Sequence, residues 1–203
     1  MLHLDLRSYF PSIDAERVRA MLVRRVPDAR LRAVVDRILA GAHGLYDSPR
    51  VRRFAGLPPD WPPRGRGLPI GAVTSQLFAT HLYLQGFDHW LKRVQKVPGY
   101  VRYVDDMFLF GNSRAELRAW RSTVRDYLRD ELDLRLKYPN ARVLDCRGHL
   151  DALGVRIRRC GVEPLPAAWR RFRKMTADWV WSGGNAVDLR AAVASRVGHL
   201  MFQ

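Results

Sequence analysis

Tyr100-Val101-Arg102-Tyr103-Val104-Asp105-Asp106-Met107-Phe108-Leu109-Phe110 sets two adjacent carboxylates inside an otherwise apolar and aromatic run. The flanking residues are β-branched or aromatic and suit a pleated, half-buried surface. The acidic pair interrupts them, so the stretch predicts two short strands joined as a hairpin. Neighbouring carboxylates repel each other and resist desolvation. A divalent cation relieves both costs, and so does a solvated turn at the hairpin tip. This segment alone leaves both readings open.

Asp5 bears on that choice. Leu2-His3-Leu4-Asp5-Leu6 alternates, with the three leucines on one face of a short strand and Asp5 on the other. Three carboxylates from two separate elements can hold two Mg²⁺ ions roughly 3.5–4 Å apart, the separation used for in-line phosphoryl displacement. Mg²⁺ takes a few carboxylates and completes its shell with water and phosphate oxygens. Read alone, Asp5 is an ordinary edge-strand carboxylate. A third stretch, Gly67-Leu68-Pro69-Ile70-Gly71-Ala72-Val73-Thr74-Ser75-Gln76, allows backbone to approach a ligand, and Thr74 or Ser75 is expected to cap the helix that follows.

Between these stretches the pattern predicts helices over about 15–26 and 28–41, a Pro/Gly/Arg-rich loop over 43–67, a helix over 75–94 and another over 114–132. Strands are expected near 134–144 and 152–158, then an Arg-rich helix from Pro166, a break at Gly183-Gly184 and a last helix from about Asp188. Strands interleaved with helices predict an α+β fold on an antiparallel sheet.

In this order and spacing the segments resemble the reverse transcriptase family, the RNA-directed DNA polymerases. Leu4 to Ile13 resembles the first palm motif, an aspartate with an aromatic five residues on. Gly67 to Gln76 resembles the template- and nucleotide-binding loop, and Tyr103-Val104-Asp105-Asp106 the Tyr-x-Asp-Asp hairpin. Leu153-Gly154 resembles the primer-grip turn. Leu68-Pro69-Ile70-Gly71 through Gln76, followed by Tyr83-Leu84 and Asp88, is most similar to bacterial retroelement enzymes, the diversity-generating type first and group II intron-like enzymes next.

The resemblance implies a polymerase palm over residues 1–158, an antiparallel sheet backed by helices with a ferredoxin-like core. It also implies a partial, basic, helical thumb over 159–203. Asp5 and Asp105 become metal ligands with the Leu6 carbonyl, and Asp106 the second carboxylate of the catalytic pair. The implied cofactor is Mg²⁺, with Mn²⁺ as an alternative. Phe10, beside Tyr9, becomes a gate against a 2′-hydroxyl, and Ile70, Gly71, Ser75 and Gln76 line the nucleotide and template. Many reverse transcriptases carry glutamine where this chain has Ile70, which implies lowered fidelity. The implied partners are an RNA template, a DNA primer and product, and dNTPs. The resemblance leaves retroelement mobility, mutagenic retrohoming and antiviral defence as alternative roles.

Two departures accompany the resemblance. The family's basic fingers normally precede the first palm motif, so the chain is expected to be N-terminally incomplete, its first strand uncovered, with a missing half or an accessory protein as a further partner. Where the family carries a lysine after Asn-Pro, this chain reads Lys137-Tyr138-Pro139-Asn140-Ala141-Arg142, leaving Lys137 and Arg142 as alternatives. The rival to an enzyme is an inactive nucleic-acid-binding remnant.

Composition agrees with a polyanionic partner. Among 203 residues, 35 Lys+Arg face 20 Asp+Glu for a net charge of +15, while a hydrophobic fraction of 47% supports a folded core and excludes a disordered basic tail. Arg156, Arg170, Arg171, Arg173 and Lys174, with Trp169 and Phe172 interleaved, are the expected contacts to nucleic acid. Two cysteines, Cys146 and Cys160, are too few for a disulfide framework. No signal peptide is expected from the opening residues Met1 to Asp5, and the uncharged stretch 67–87 reads as too polar for a bilayer span. A cytoplasmic protein without a membrane partner is expected.

Overall fold

A computed structural model of the chain describes residues 1–182 and 188–194. The architecture is α+β, with two three-stranded antiparallel sheets in two compact units, Met1–Leu144 and Asp145–Gln203. The first unit opens with strand β1 (Leu2–Asp5), a short helix α1 (Tyr9–Ser12), and helices α2 (Ala15–Val23) and α3 (Ala29–Ala40). The caps are as polar spacing dictates: Asp14 accepts from the Glu16 and Arg17 amides, and Asp28 from the Leu31 amide. The stretch expected as loop over 43–67 contains a helix α4 (Pro49–Phe54), with proline in its first turn, where its missing N–H costs nothing.

Next comes α5 (Val73–Leu77), a π-helical turn over Phe78–Tyr83, and α6 (Gln85–Arg93). The expected single helix over 75–94 is therefore interrupted. Its cap is Ala72, with no side-chain hydrogen bond, so Thr74 and Ser75 lie inside the first turn rather than capping it. Strands β2 (Gly99–Tyr103) and β3 (Asp106–Phe110) form the expected hairpin, and α7 (Arg114–Leu132) follows, capped by Ser113 Oγ on the Glu116 amide.

The first sheet has the order β1-β3-β2. Leu2 faces Leu109, Leu4 faces Met107, Asp5 faces Asp106, and Tyr103 closes on Asp106 across the hairpin. Leu2, Leu4, Met107 and Leu109 are buried and join one apolar cluster with Phe87 and Leu91 of α6 and Leu117, Trp120, Val124 and Leu128 of α7. Burying these side chains supplies about 1.5–3 kcal/mol each.

The first strand is not left uncovered. Segment 135–144 runs along its free side as irregular chain rather than the expected strand. The Lys137 amide donates to Asp5 O and the Arg7 amide to Arg135 O, each at 2.8 Å. At the other end the Met1 amino group donates to Leu144 O at 2.7 Å. Backbone that would template pairing with another chain is occupied at both ends.

The second unit holds a three-stranded meander, β4 (Leu150–Ala152), β5 (Val155–Arg158) and β6 (Gly161–Pro164), then α8 (Pro166–Trp181). The division after Leu144 thus gives the β4–β5 hairpin to the second unit, where the sequence reading put it with the first. Residues 188–194 are helical as expected, whereas the Gly183-Gly184 break lies outside the described residues. Among the described residues no helix is long and apolar enough to cross a membrane.

Candidate functional site

Alternation along the first sheet decides which side chains meet. His3 and Asp5 of β1, Asp106 and Phe108 of β3, and Val101 and Tyr103 of β2 share the face opposite the core. Asp105 sits on the two-residue turn between Tyr103 and Asp106. Val104, the other turn residue, has φ +55°. For a β-branched residue that left-handed conformation is strained by roughly 1–3 kcal/mol, and it persists only where surrounding contacts impose it.

The three sequence-predicted acidic residues are brought together electrostatically. Burial pushes the Asp105 carboxyl above the ordinary carboxylate range, the charges of Asp5 and Asp106 add to the rise, and Lys137 opposes it. Two of the three carboxylates have partners. Lys137 Nζ donates to Asp5 Oδ2 at 2.7 Å, and its own pKa rises chiefly through that hydrogen bond. His3 Nε2 donates to Asp106 Oδ1 at 2.7 Å while its ring stacks on Phe108 at 4.5 Å. Of the two alternatives left by the sequence, Lys137 reaches an acidic residue, whereas Arg142 makes no salt bridge among the described residues.

Hard oxygen donors at Asp5 and Asp105 suit Mg²⁺ in kind. The Leu6 carbonyl fits as well, because the bridge between Leu6 and Leu136 uses the Asp5 carbonyl and the Arg7 amide instead. Among the described residues, no three His, Cys, Asp or Glu side chains already form a closed metal-binding group. The Lys137 ammonium supplies the positive charge beside Asp5.

Tyr9 and Ser75, expected near the nucleotide, are both buried. Tyr9 Oη donates to Ala79 O at 2.7 Å, so its hydroxyl is engaged within the core. Phe10 is half-buried, edge-on to Tyr9. The predicted loop does reach it: the Leu68 amide donates to Phe10 O and the Gly67 amide to Ile13 O, each at 2.9 Å. Gly67, at φ +111°, lies against the Tyr46 ring, and Tyr46 Oη donates to Leu68 O at 3.0 Å. Beyond that anchor the loop opens outward: Ile70 is 64% exposed, Gly71 at φ +91° has open space above it, and Gln76 is exposed.

The remaining predicted residues belong to the second unit. Leu153 at φ +52° and Gly154 at φ +85° make the turn of the β4–β5 hairpin, with both turn residues at positive φ as the tightest hairpins require. Arg156 is paired across that hairpin: its Nε and Nη2 donate to Asp151 at 2.7 and 2.8 Å. Its charge is therefore already balanced, which weakens its claim as a phosphate contact. Arg170, Arg171, Arg173 and Lys174 on α8 make no salt bridge among the described residues and are exposed. Phe172 is half-buried, whereas Trp169 is exposed and meets it edge-on, so only one of the two aromatics turns inward.

Sequence reasoning missed His3 and Arg102. The signal for His3 was present, since it alternates with Asp5 on a strand whose leucines face the core. Arg102 alternates with Tyr103 in the same way, and that period puts it on the core side, where a cation is costly.

No family model matches the chain, and no curated protein does. A solved structure of the foamy viral protease-reverse transcriptase in complex with dsDNA resembles it at 18% sequence identity and a TM-score of 0.37. The similarity covers 54% of this chain and 21% of that one, so the chain spans about a fifth of the protein it resembles.

Proposed function

We propose that the chain is the palm and partial thumb of an RNA-directed DNA polymerase of bacterial retroelement type. On this reading it joins dNTPs to a primer 3′-hydroxyl on an RNA template. The observation that carries the reading is the Tyr103–Asp106 turn beside β1, where Asp5 faces Asp106 across the strands and Asp105 stands on the turn between them. Burial first, and then the charges of Asp5 and Asp106, raise the Asp105 pKa, and Asp105 is the one of the three carboxylates without a salt-bridge partner among the described residues, a place a cation would fill.

Asp5, Asp105 and the Leu6 carbonyl would hold Mg²⁺, which supplies activation of the primer hydroxyl and neutralisation of the triphosphate. The chain's own residues do the rest. Phe10 stands where Leu68 of the loop is hydrogen-bonded to it, and it would close the space next to the sugar. Ile70, Gly71 and Gln76 would present the loop to the base pair being formed. Lys137, resting on Asp5, would exchange that carboxylate for a phosphate oxygen when a nucleotide arrives. Arg170, Arg171, Arg173 and Lys174 would follow the duplex backbone.

A second reading has its own observation. With Asp5 paired to Lys137 and Asp106 to His3, the site is electrostatically closed as it stands, which favours a nucleic-acid-binding chain that is inactive without a partner. Extension of oligo(dT) on poly(rA) with dTTP and Mg²⁺ separates the two. The polymerase reading expects extension by the wild type that is lost in Asp105→Asn. Template binding without extension supports the second reading, and extension that survives Asp105→Asn overturns the first.

A further inference from the structure

Arg102 occupies a position that an apolar residue would ordinarily fill. It lies opposite Met107 on the core-facing side of β2, in line with Tyr100 and its partner Leu109, and its side chain is only 9% exposed. A buried ion pair is weak evidence for stability, because well-packed apolar residues of the same volume often do as well or better. The contacts of this guanidinium indicate another use. Its Nε donates to Asp88 Oδ1 at 2.9 Å and its Nη2 to Asp88 Oδ2 at 2.5 Å. Nη2 also donates to Thr80 O at 2.9 Å, and Nη1 to Val104 O at 2.8 Å. Tyr100 Oη shares Asp88 Oδ1 at 2.7 Å.

The contact with Val104 is the informative one. That residue holds φ +55° without being glycine, and the carbonyl that Arg102 grips is the one leading into Asp105. The contact with Thr80 falls in the π-helical turn Phe78–Tyr83, where the widened ladder leaves carbonyls free for side-chain donors. The neighbouring carbonyl, Ala79 O, takes the Tyr9 hydroxyl from the helix that follows Asp5. One helical irregularity thus anchors both acidic elements of the site, through consecutive carbonyls.

We infer that Arg102 is a positioning residue: held by Asp88 and Thr80, it clamps the Val104 carbonyl and so fixes the strained turn that presents the Asp105 carboxylate. The inference rests on the reading of Asp105 as a cation ligand. The planar fork makes four hydrogen bonds to these partners, two of them to the Asp88 carboxylate, whereas a lysine ammonium has only three donors and cannot make all four. The clamp would be dispensable if the residue at 104 adopted positive φ without cost, as glycine does.

The test reads Mn²⁺ binding to the full chain from the loss of the free-ion electron paramagnetic resonance signal, alongside thermal unfolding. Its variants are Arg102→Lys, the paired Arg102→Met/Asp88→Asn, and Arg102→Lys/Val104→Gly, with Asp105→Asn as control. Loss of a residue that orients a ligand weakens metal affinity by about 10–100-fold. Both Arg102 substitutions should do so, while the paired variant still unfolds cooperatively and Val104→Gly restores most of the affinity. Wild-type affinity in both Arg102 variants, with Asp105→Asn defective, overturns the clamp and leaves the polymerase reading intact. Weakened binding that Val104→Gly does not restore, with a matching loss of thermal stability, assigns Arg102 to the fold alone and also overturns it. Wild-type binding indifferent to Asp105→Asn refutes the cation site itself, and the clamp with it.

Discussion

Substituting alanine at Gly67 and at Gly71 separates two costs that the loop before α5 keeps apart. Both glycines hold left-handed backbone, φ +111° and φ +91°. An L-residue there costs roughly 1–2 kcal/mol. The surroundings differ. A Cβ on Gly71 would meet nothing within 4 Å, while one on Gly67 would stand 2.5 Å from Tyr46 Cε2 and 3.0 Å from Pro11 O. Tyr46 is buried and its hydroxyl donates to Leu68 O, so the ring moves aside only by giving up that hydrogen bond. Such overpacking adds about 1–3 kcal/mol. Gly71→Ala should therefore cost about 1–2 kcal/mol and Gly67→Ala about 2–5 kcal/mol. Urea unfolding followed by circular dichroism measures both. Equal destabilisation of the two variants would refute the claim that Tyr46 and α1 hold the root of this loop.

Other outcomes follow from individual contacts. His3→Ala removes a 2.7 Å hydrogen bond to Asp106 and a ring stack on Phe108, and should lower urea-unfolding stability by about 1–2 kcal/mol. Each alanine at Arg170, Arg171, Arg173 or Lys174 should reduce the slope of log affinity against log salt by about 0.9 for duplex binding. Arg156→Ala should change that slope less, because Asp151 already balances the charge. Asp151 is held below its ordinary carboxylate value chiefly by the Arg156 hydrogen bond. Its contribution to the β4–β6 sheet is therefore present above the unfolded value of about 3.9 and is lost as pH falls through the lower folded value. Amide resonances of β4 and β5 followed from pH 6 to pH 2 should report this loss, and Arg156→Gln should return the Asp151 titration to its ordinary position.

Much of the first unit could be read from local pattern. The alternation of Leu2, Leu4 and Leu6 against Asp5 marked β1, and the acidic break in 100–110 marked β2, β3 and the turn between them. The helical pattern placed α2 and α3 close to where they lie, and the structure adds that Asp14 and Asp28 cap them. The residues that pattern left hidden act through distant partners. Lys137 meets Asp5 only because segment 135–144 lies along β1 as irregular chain, and irregular pairing has no period. The π-turn at Phe78–Tyr83 carries no composition of its own. It is recognisable once Tyr9 and Arg102 are seen to use its carbonyls. Arg156 looked like a phosphate contact because its charge is local and its cross-strand partner Asp151 is not evident before the register is known.

The proposed joint hold of Asp5 and Asp105 on a divalent cation can be tested without relying on polymerase activity. Fe²⁺ loaded in place of Mg²⁺ and treated with peroxide and a thiol generates hydroxyl radicals that cut the backbone beside the ion. Cleavage is expected near Asp105 and near Asp5, suppressed by excess Mg²⁺ and absent in Asp105→Asn. Cleavage elsewhere, or cleavage at these positions that neither Mg²⁺ nor Asp105→Asn affects, would contradict it.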